Sequence, residues 1–508
     1  MKRIISACFA LLLTAAMLHA KIYTATDKNC YVAGETVYCS VFASDADAVA
    51  YLSLINSDMP ETTAKIALDN GRGGGMFTIP YSCPTGNYYL VSYTASGSVD
   101  RHVLSVFNTF STVRVQSGVT VSDKASPVQK VMNSAYGLAL SSPADSVLIL
   151  ENTSRMPVTA CLSVCRADNI PSPQSHTVFP IELPSGGERA GEFDGECVRA
   201  VVCGPDADKV NGDVTAILSV PGSKTDIYTA FAGDGGHVVF HTENIYGDVN
   251  AVCMLQGLPE NAVCHLELDL PETPSSVSAV PSLTLSSDYA SALIGRREAL
   301  SVDLACSDSL AASLPVRPPH FFMKHEPVSY VLDDYTRFPT MEELFVEIIK
   351  DVRVRKSGNG HIINVMTRDD ALNAAPVWGN SLMLLDGVPV VDHEKIWNYD
   401  PALVKTVEIY PYSYSLGDKT YGGVMNFITF KSNLAMMAFD DNVRIYDFKG
   451  CSFPMLHRGH HTLYWNPLIM LQPGETLRVD FTACGCPFNA VAEGMTSDGK
   501  AVRSSFAR

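Results

Sequence analysis

Residues 381–431 read SLMLLDGVPVVDHEKIWNYDPALVKTVEIYPYSYSLGDKTYGGVMNFITFK, and the reading of this stretch decides the fold. Leu382, Met383, Leu384 and Leu385 form an apolar run that Asp386-Gly387-Val388-Pro389 stops with turn chemistry, which predicts a buried strand. Asp400-Pro401 opens a short segment, because the residue before proline leaves the helical region and proline suits a first helical turn. Lys405 to Tyr410 alternates charged and apolar residues and predicts a second strand. Tyr421-Gly422-Gly423 is expected to turn, with one glycine at positive φ, and Val424 to Phe430 to form a third strand. Upstream, Met341 to Lys350 has helical spacing, and a strand is expected after it, up to Val354.

The order of these features resembles the plug domain of TonB-dependent outer-membrane receptors. The carriers are the apolar strand, the Asp-Gly-Val-Pro turn, the Asp-Pro segment, the Val407-Glu408-Ile409 strand, Tyr421-Gly422, and the Ile428-Thr429 end before Lys431. The resemblance implies an α+β domain over residues 331–432 that docks in a barrel and binds through exposed loops. Those loops would be Asp386 to Pro389 and Ser413 to Tyr421, so Asp386, Gly387, Pro389, Tyr412, Tyr414 and Tyr421 are the candidate binding residues. Gly422 and Gly423 are the candidate structural turn. A barrel wide enough to be plugged takes about 22 strands of roughly ten residues. Too few residues follow Lys431 for that, so a plug-like domain without a barrel of its own is expected.

The chain has 508 residues, enough for several domains, and a formal charge of −17, which argues against nucleic acid as a partner. Residues 1–20 have a basic start at Lys2 and Arg3, an apolar core and Ala20 before Lys21, the pattern of a secretory signal. Export to the periplasm or to an outer-membrane-associated position is therefore expected, with peripheral membrane association open. Of the 14 cysteines, Cys8 falls inside the signal, which leaves an odd number, and no spacing matches a zinc or redox pattern. Export permits disulfides. Cysteine as a small buried apolar residue explains the same composition.

Elsewhere the rhythm is β, and the expected class is multidomain and mainly β. Runs such as Thr36 to Ala43 and Tyr88 to Ala95 are separated by Gly, Asn and Pro clusters at sandwich spacing, with Gly73-Gly74-Gly75 expected as a loop. Thr26-Asp27-Lys28, Tyr31, Gly34-Glu35-Thr36-Val37-Tyr38 and Pro84-Thr85-Gly86-Asn87-Tyr88 resemble a macroglobulin-type domain, an Ig-like β-sandwich without catalytic chemistry of its own. It would occupy residues 21–110. Residues 115–275 continue as one or two sandwiches, with a hairpin expected around Asn152-Thr153-Ser154 and a tight turn at Gly233-Asp234-Gly235-Gly236. Residues 276–330 read as a linker, helical over Ser286 to Leu314 and turning at Arg317-Pro318-Pro319. Residues 433–508 return to strands, and Thr462 to Pro467 and Glu493 to Lys500 again resemble macroglobulin-type strands.

The sequence contains no GxSxG elbow, HExxH helix or Walker loop. His457, His460 and His461 could bind a borderline metal, but no carboxylate lies near them in sequence and Arg458 intervenes. The thioester motif of macroglobulins is absent, since Cys484-Gly485 is followed by Cys486-Pro487. No cofactor is expected. The reading is a non-enzymatic envelope protein, accessory to outer-membrane transport, that binds an outer-membrane barrel or other envelope protein. The alternatives are a macroglobulin-like protease binder and a metal-dependent hydrolase; the nature of any small ligand is open.

Overall fold

A computed structural model describes residues 22–56, 60–110, 115–116, 118–123, 133–171, 173, 191–210, 214–222, 226–269, 280–314, 326–358, 360–367, 380–483 and 485–508. The expected signal, the Arg317-Pro318-Pro319 turn and Cys484 lie outside them. The architecture is mainly β: three sandwiches and one α+β unit, held together by shared cores.

The first sandwich packs a three-stranded sheet (Ile22–Thr26, Thr36–Ala43, Arg72–Thr78) on a five-stranded one, ordered Cys30–Val32, Val99–Phe107, Gly86–Thr94, Val49–Ile55, Pro60–Ala67. Tyr31, Val41, Leu52, Ile66, Tyr88 and Leu104 fill the space between them. Gly73, Gly74 and Gly75 do not loop out as expected; they are strand residues paired with Val41, Ser40 and Cys39 respectively. The reason is close approach. A Cβ on Gly74 would stand 2.6 Å from Pro467 Cβ, and one on Gly73 would stand 2.2 Å from the Ala67 carbonyl. Glycine here admits a neighbouring layer, the second reason besides turns for a glycine in a strand.

The third sandwich is assembled mainly from two distant pieces of chain, 134–166 and 455–507, with Ala311–Ser313 added at one edge. Its seven-stranded sheet runs Ser134–Tyr136, Ala501–Ala507, Phe488–Thr496, Val158–Arg166, Thr462–Leu471, Met455–His457, Ala311–Ser313. Its opposing sheet runs Leu138–Ala144, Val147–Asn152, Thr476–Asp480. Val147–Asn152 and Val158–Arg166 therefore do not form the expected hairpin: each lies in a different sheet, and Asn152 anchors the crossing by donating to Met156 O and Leu471 O at 2.9 and 3.0 Å. Between the two pieces the chain builds the second sandwich, whose sheets are His237–His241, Cys197–Cys203, His265–Leu268 and Asp226–Phe231, Thr215–Val220, Asp248–Gln256, Arg444–Lys449. Residues 433–508 are thus not a separate segment. They close two sandwiches opened hundreds of residues earlier.

Gly233-Asp234-Gly235-Gly236 also joins strands of two different sheets, with Gly235 and Gly236 at φ 72° and 76°. The helix Ala290–Ala305 forms in the expected region, with Ser286 accepting from Asp288 N at its approach. It packs on the first sandwich, where buried Arg296 donates to Cys30 O and pairs with Asp168 at 2.7 Å. The described cysteines other than Cys486 are free thiols, and of these only Cys306 is exposed, so the apolar reading of cysteine fits them.

In the α+β unit the elements are β1 (Val328–Val331), α1 (Met341–Glu347), β2 (Val352–Ser357), β3 (Gly360–Val365), β4 (Leu382–Leu385), β5 (Val388–Pro389), α2 (His393–Trp397), β6 (Val404–Leu416) and β7 (Lys419–Thr429). The sheet order is β1-β6-β7-β4-β5, with β4 and β7 parallel, and β2 and β3 form a separate two-stranded hairpin. Thr340 caps α1 by accepting from Glu343 N, and Asp400 caps the short turn that begins at Pro401. Tyr421-Gly422-Gly423 is not a turn. It lies within β7, and the hairpin turns at Gly417-Asp418. Gly423 does take positive φ, 91°, opposite a register shift between Tyr410 and Ser413. That is the signature of a bulge bending a long strand pair.

Candidate functional site

The α+β unit does not stand free. Ile217, Val252 and Met254 of the second sandwich belong to the same buried cluster as Leu382, Leu384, Phe427 and Leu344 of the unit. The sheet that carries them has apolar residues on both faces. Ala216, Leu218, Cys253 and Leu255 point to the sandwich interior, and Thr215–Val220 is buried at every position. A sheet covered on both sides loses the period-2 alternation that marks a half-exposed one.

The predicted binding residues sit at this seam. Ser381 through Val390 are all buried. Asp386-Gly387 is a two-residue turn with φ 47° and 83°, the conformation Asp-Gly favours in a tight hairpin. The Asp386 carboxylate accepts from Thr429 N and Thr429 Oγ1 at 2.7 Å and from Leu434 N at 2.8 Å. Its carbonyl accepts from Gly222 N at 2.9 Å, which links the turn to the second sandwich. Gly387 N donates to Asn426 Oδ1, and Pro389 pairs with Leu384. The tyrosine hairpin is occupied in the same way. Gln256 Nε2 donates to Tyr421 OH at 2.7 Å, and Thr215 Oγ1 donates to Asp418 Oδ1 at 2.9 Å. Tyr414 and Tyr421 are half-buried against the shared core, burial pushing the Tyr414 phenol up to about 12. Tyr412 is half-buried. These turns are therefore not free loops: they hold the unit on its carrier.

The three histidines lie by the seven-stranded sheet of the third sandwich, beside a cavity of about 110 Å³ lined by Lys28, Glu35, Tyr38, Asp303, His457 and His461 among others. Carboxylates absent from the neighbouring sequence arrive through the fold. Asp303 accepts from His460 Nδ1 at 2.6 Å, and Asp168 approaches His461 at 4.0 Å. Lys28 lies 3.0 Å from Asp27 and 3.6 Å from Glu35. Burial opposes its charge, but the two carboxylates outweigh it and hold the ammonium above its ordinary range. Burial pushes both His457 and His461 down, and Arg296 and Lys28 push His461 further. His457 stacks on Tyr38 at 4.6 Å. Two neutral imidazoles and a lysine neutralised by two carboxylates form a polar joint between the first and third sandwiches and the helix. No group of three or more His, Cys, Asp or Glu placed to hold a metal occurs among the described residues.

The members of this joint that sequence reading did not single out for chemistry are Asp27, Lys28, Glu35, Asp168, Arg296 and Asp303. The Asp-Lys pair and Glu35 were visible only as carriers of the resemblance to a macroglobulin-type domain. Asp303 and Asp168 had no local signal, being 157 residues and further from their partners.

The β2–β3 hairpin pairs with no other strand among the described residues. Val352 and Val354 pack on the core, while Arg353, Arg355 and Lys356 are exposed. On β3, His361 stacks on Trp397 at 4.0 Å and pairs with Glu394 at 3.0 Å.

No family model matches this chain. No curated protein matches it either. Among solved structures it is similar to Salmonella alpha-2-macroglobulin reacted with methylamine, at 10% identity and TM-score 0.23 over 96% of this chain and 39% of that one. It is also similar to Escherichia coli alpha-2-macroglobulin activated by porcine elastase, at 10% identity and TM-score 0.22 over 96% of this chain and 43% of that one. The native conformation of the E. coli protein gives 9% identity and TM-score 0.24, covering 96% and 39%. The chain spans about two fifths of the length of these structures. No helix among the described residues is long and apolar enough to cross a membrane.

Proposed function

We propose that this is a non-enzymatic, exported interaction protein of the cell envelope, whose β-sandwiches carry the plug-like α+β unit as a fixed head. The observation that supports this reading is the shared core of Ile217, Val252 and Met254 with Leu382, Leu384 and Phe427. A unit built to enter and leave a barrel would have to give up that apolar contact, at about 25 cal/mol per Å² exposed. A fixed head instead meets its partner with its outer side, α1 and the β2–β3 hairpin. The partner is an outer-membrane barrel protein or another envelope protein.

The test is photocrosslinking in intact envelopes. A photoreactive residue replaces Val346, 63% exposed on α1, or Met470, 78% exposed on the third sandwich. A discrete adduct from position 346 and none from position 470 is expected. Adducts from 470 alone, or from neither, would overturn the fixed-head reading. The second reading, a protease binder without a thioester, rests on the names of the solved proteins above, one of which was activated by porcine elastase. A stable complex with elastase on a native gel would favour it.

A further inference from the structure

We infer that β2 is an acceptor edge: it binds an extended peptide that adds as a third strand and carries acidic side chains alternating with apolar ones. This rests on the partner-binding reading above and names the chemistry of the partner segment.

The argument starts from the register. Val352 pairs with Val365, Val354 with Ile363 and Lys356 with His361. On β3, the N–H groups of His361, Ile363 and Val365 point away from β2, because they donate to Glu394 Oε2, His393 Nδ1 and Ser381 Oγ at 2.8, 3.0 and 2.7 Å. In an antiparallel pair, residues opposite one another turn their backbone groups both inward or both outward. The N–H and C=O groups of Val352, Val354 and Lys356 therefore point away from β3, along the free side of β2. Among the described residues the sheet has no third strand there, and none of these six groups has a partner. The hairpin thus has one edge closed by three side chains and one edge open. Closing exposed edges is the rule, since an open one templates strand addition.

Charge and pattern select the occupant. Within residues 350–357, Lys350, Arg353, Arg355 and Lys356 outnumber a single acid, Asp351, on a chain whose net charge is −17. That acid accepts from Tyr330 OH at 2.7 Å. Arg353 and Arg355 share the solvent face of β2, and Val352 and Val354 share the core face. An added strand would set alternate side chains beside the arginines and the intervening ones beside the valines. Acidic residues fit the first set and apolar residues the second.

The probe is a fluorescein-labelled peptide of four Glu-Val repeats, titrated by anisotropy against the full chain, with hydrogen exchange followed over residues 350–357. Binding that weakens tenfold or more in R353E/R355E and in a peptide N-methylated at alternate residues is expected, with slowed exchange at Val352, Val354 and Lys356. Equal binding of a Lys-Val peptide, indifference to N-methylation, or unchanged exchange would overturn the inference. If the charges serve only to keep the edge from pairing, R353A/R355A dimerises by sedimentation and the wild type ignores the peptide; that too overturns it. An adduct from position 346 together with failed peptide binding removes the acceptor edge and leaves the fixed head, whereas loss of the adduct with intact peptide binding does the reverse.

Discussion

Replacing Gly423 by alanine tests whether the bulge in β7 depends on both backbone conformation and packing. At φ 91° an L-residue pays the left-handed penalty of about 1–2 kcal/mol. The added Cβ would stand 2.7 Å from Val365 Cβ and 2.8 Å from its Cγ1, in the core under β3. Overpacking of that kind costs about 1–3 kcal/mol. Together the loss is about 2–5 kcal/mol. Gly97 is the matched control: it has the same φ of 91°, but nothing lies within 4 Å of its Cβ position, so Gly97→Ala carries the backbone part alone. A chain with several cores need not unfold in one step, so the probe must be local. Trp397 stacks on His361 in the unit, and with Trp378 and Trp465 changed to phenylalanine its fluorescence follows the unit through a urea titration. Gly423→Ala is expected to shift that transition well beyond the shift Gly97→Ala produces in the first sandwich, followed there by hydrogen exchange over residues 86–107. Equal losses, within about 0.5 kcal/mol, would refute the packing half of the reasoning.

Other expectations follow from the buried polar groups. Asp386→Ala strands Thr429 N, Thr429 Oγ1 and Leu434 N and should cost the unit about 2–4 kcal/mol in urea titration, while Asp386→Asn, which tolerates the left-handed backbone, should cost less. Lys65 and Glu196 pair at 2.5 Å in the seam of the first two sandwiches; Lys65→Met should lose about 3–5 kcal/mol by leaving a buried carboxylate, and Lys65→Met with Glu196→Leu should recover most of it. Burial raises Glu192 to about 7, so the folded state holds a proton that the unfolded state releases near 4.5. Its contribution is fully present below pH 4.5 and is lost as pH rises to about 7, and Glu192→Gln, which keeps an acceptor for Tyr51 OH and Cys197 N, should remove that slope from thermal melts between pH 5 and 8.

Much of the α+β unit was legible in the chain because its signals are local. An apolar run ended by Asp-Gly, the helical spacing of Met341 to Lys350, and proline after Asp400 each state a conformation through their own local chemistry. The β rhythm of the sandwiches was legible for the same reason. What the residues could not state was which surface would meet which. Gly73-Gly74-Gly75 has the composition of a loop and becomes a strand because Pro467, almost four hundred residues on, needs the space. Asp386 reads as an exposed turn and is buried because the second sandwich spends its outer face on it. His460 reads as lacking a carboxylate until the fold brings Asp303 to 2.6 Å. The free edge of β2 was equally hidden, since an edge is defined by the strand that fails to arrive. Periodicity and turn chemistry act over a few residues and are written in sequence; coverage of a face or an edge is a contact between distant segments, and only the tertiary structure decides it.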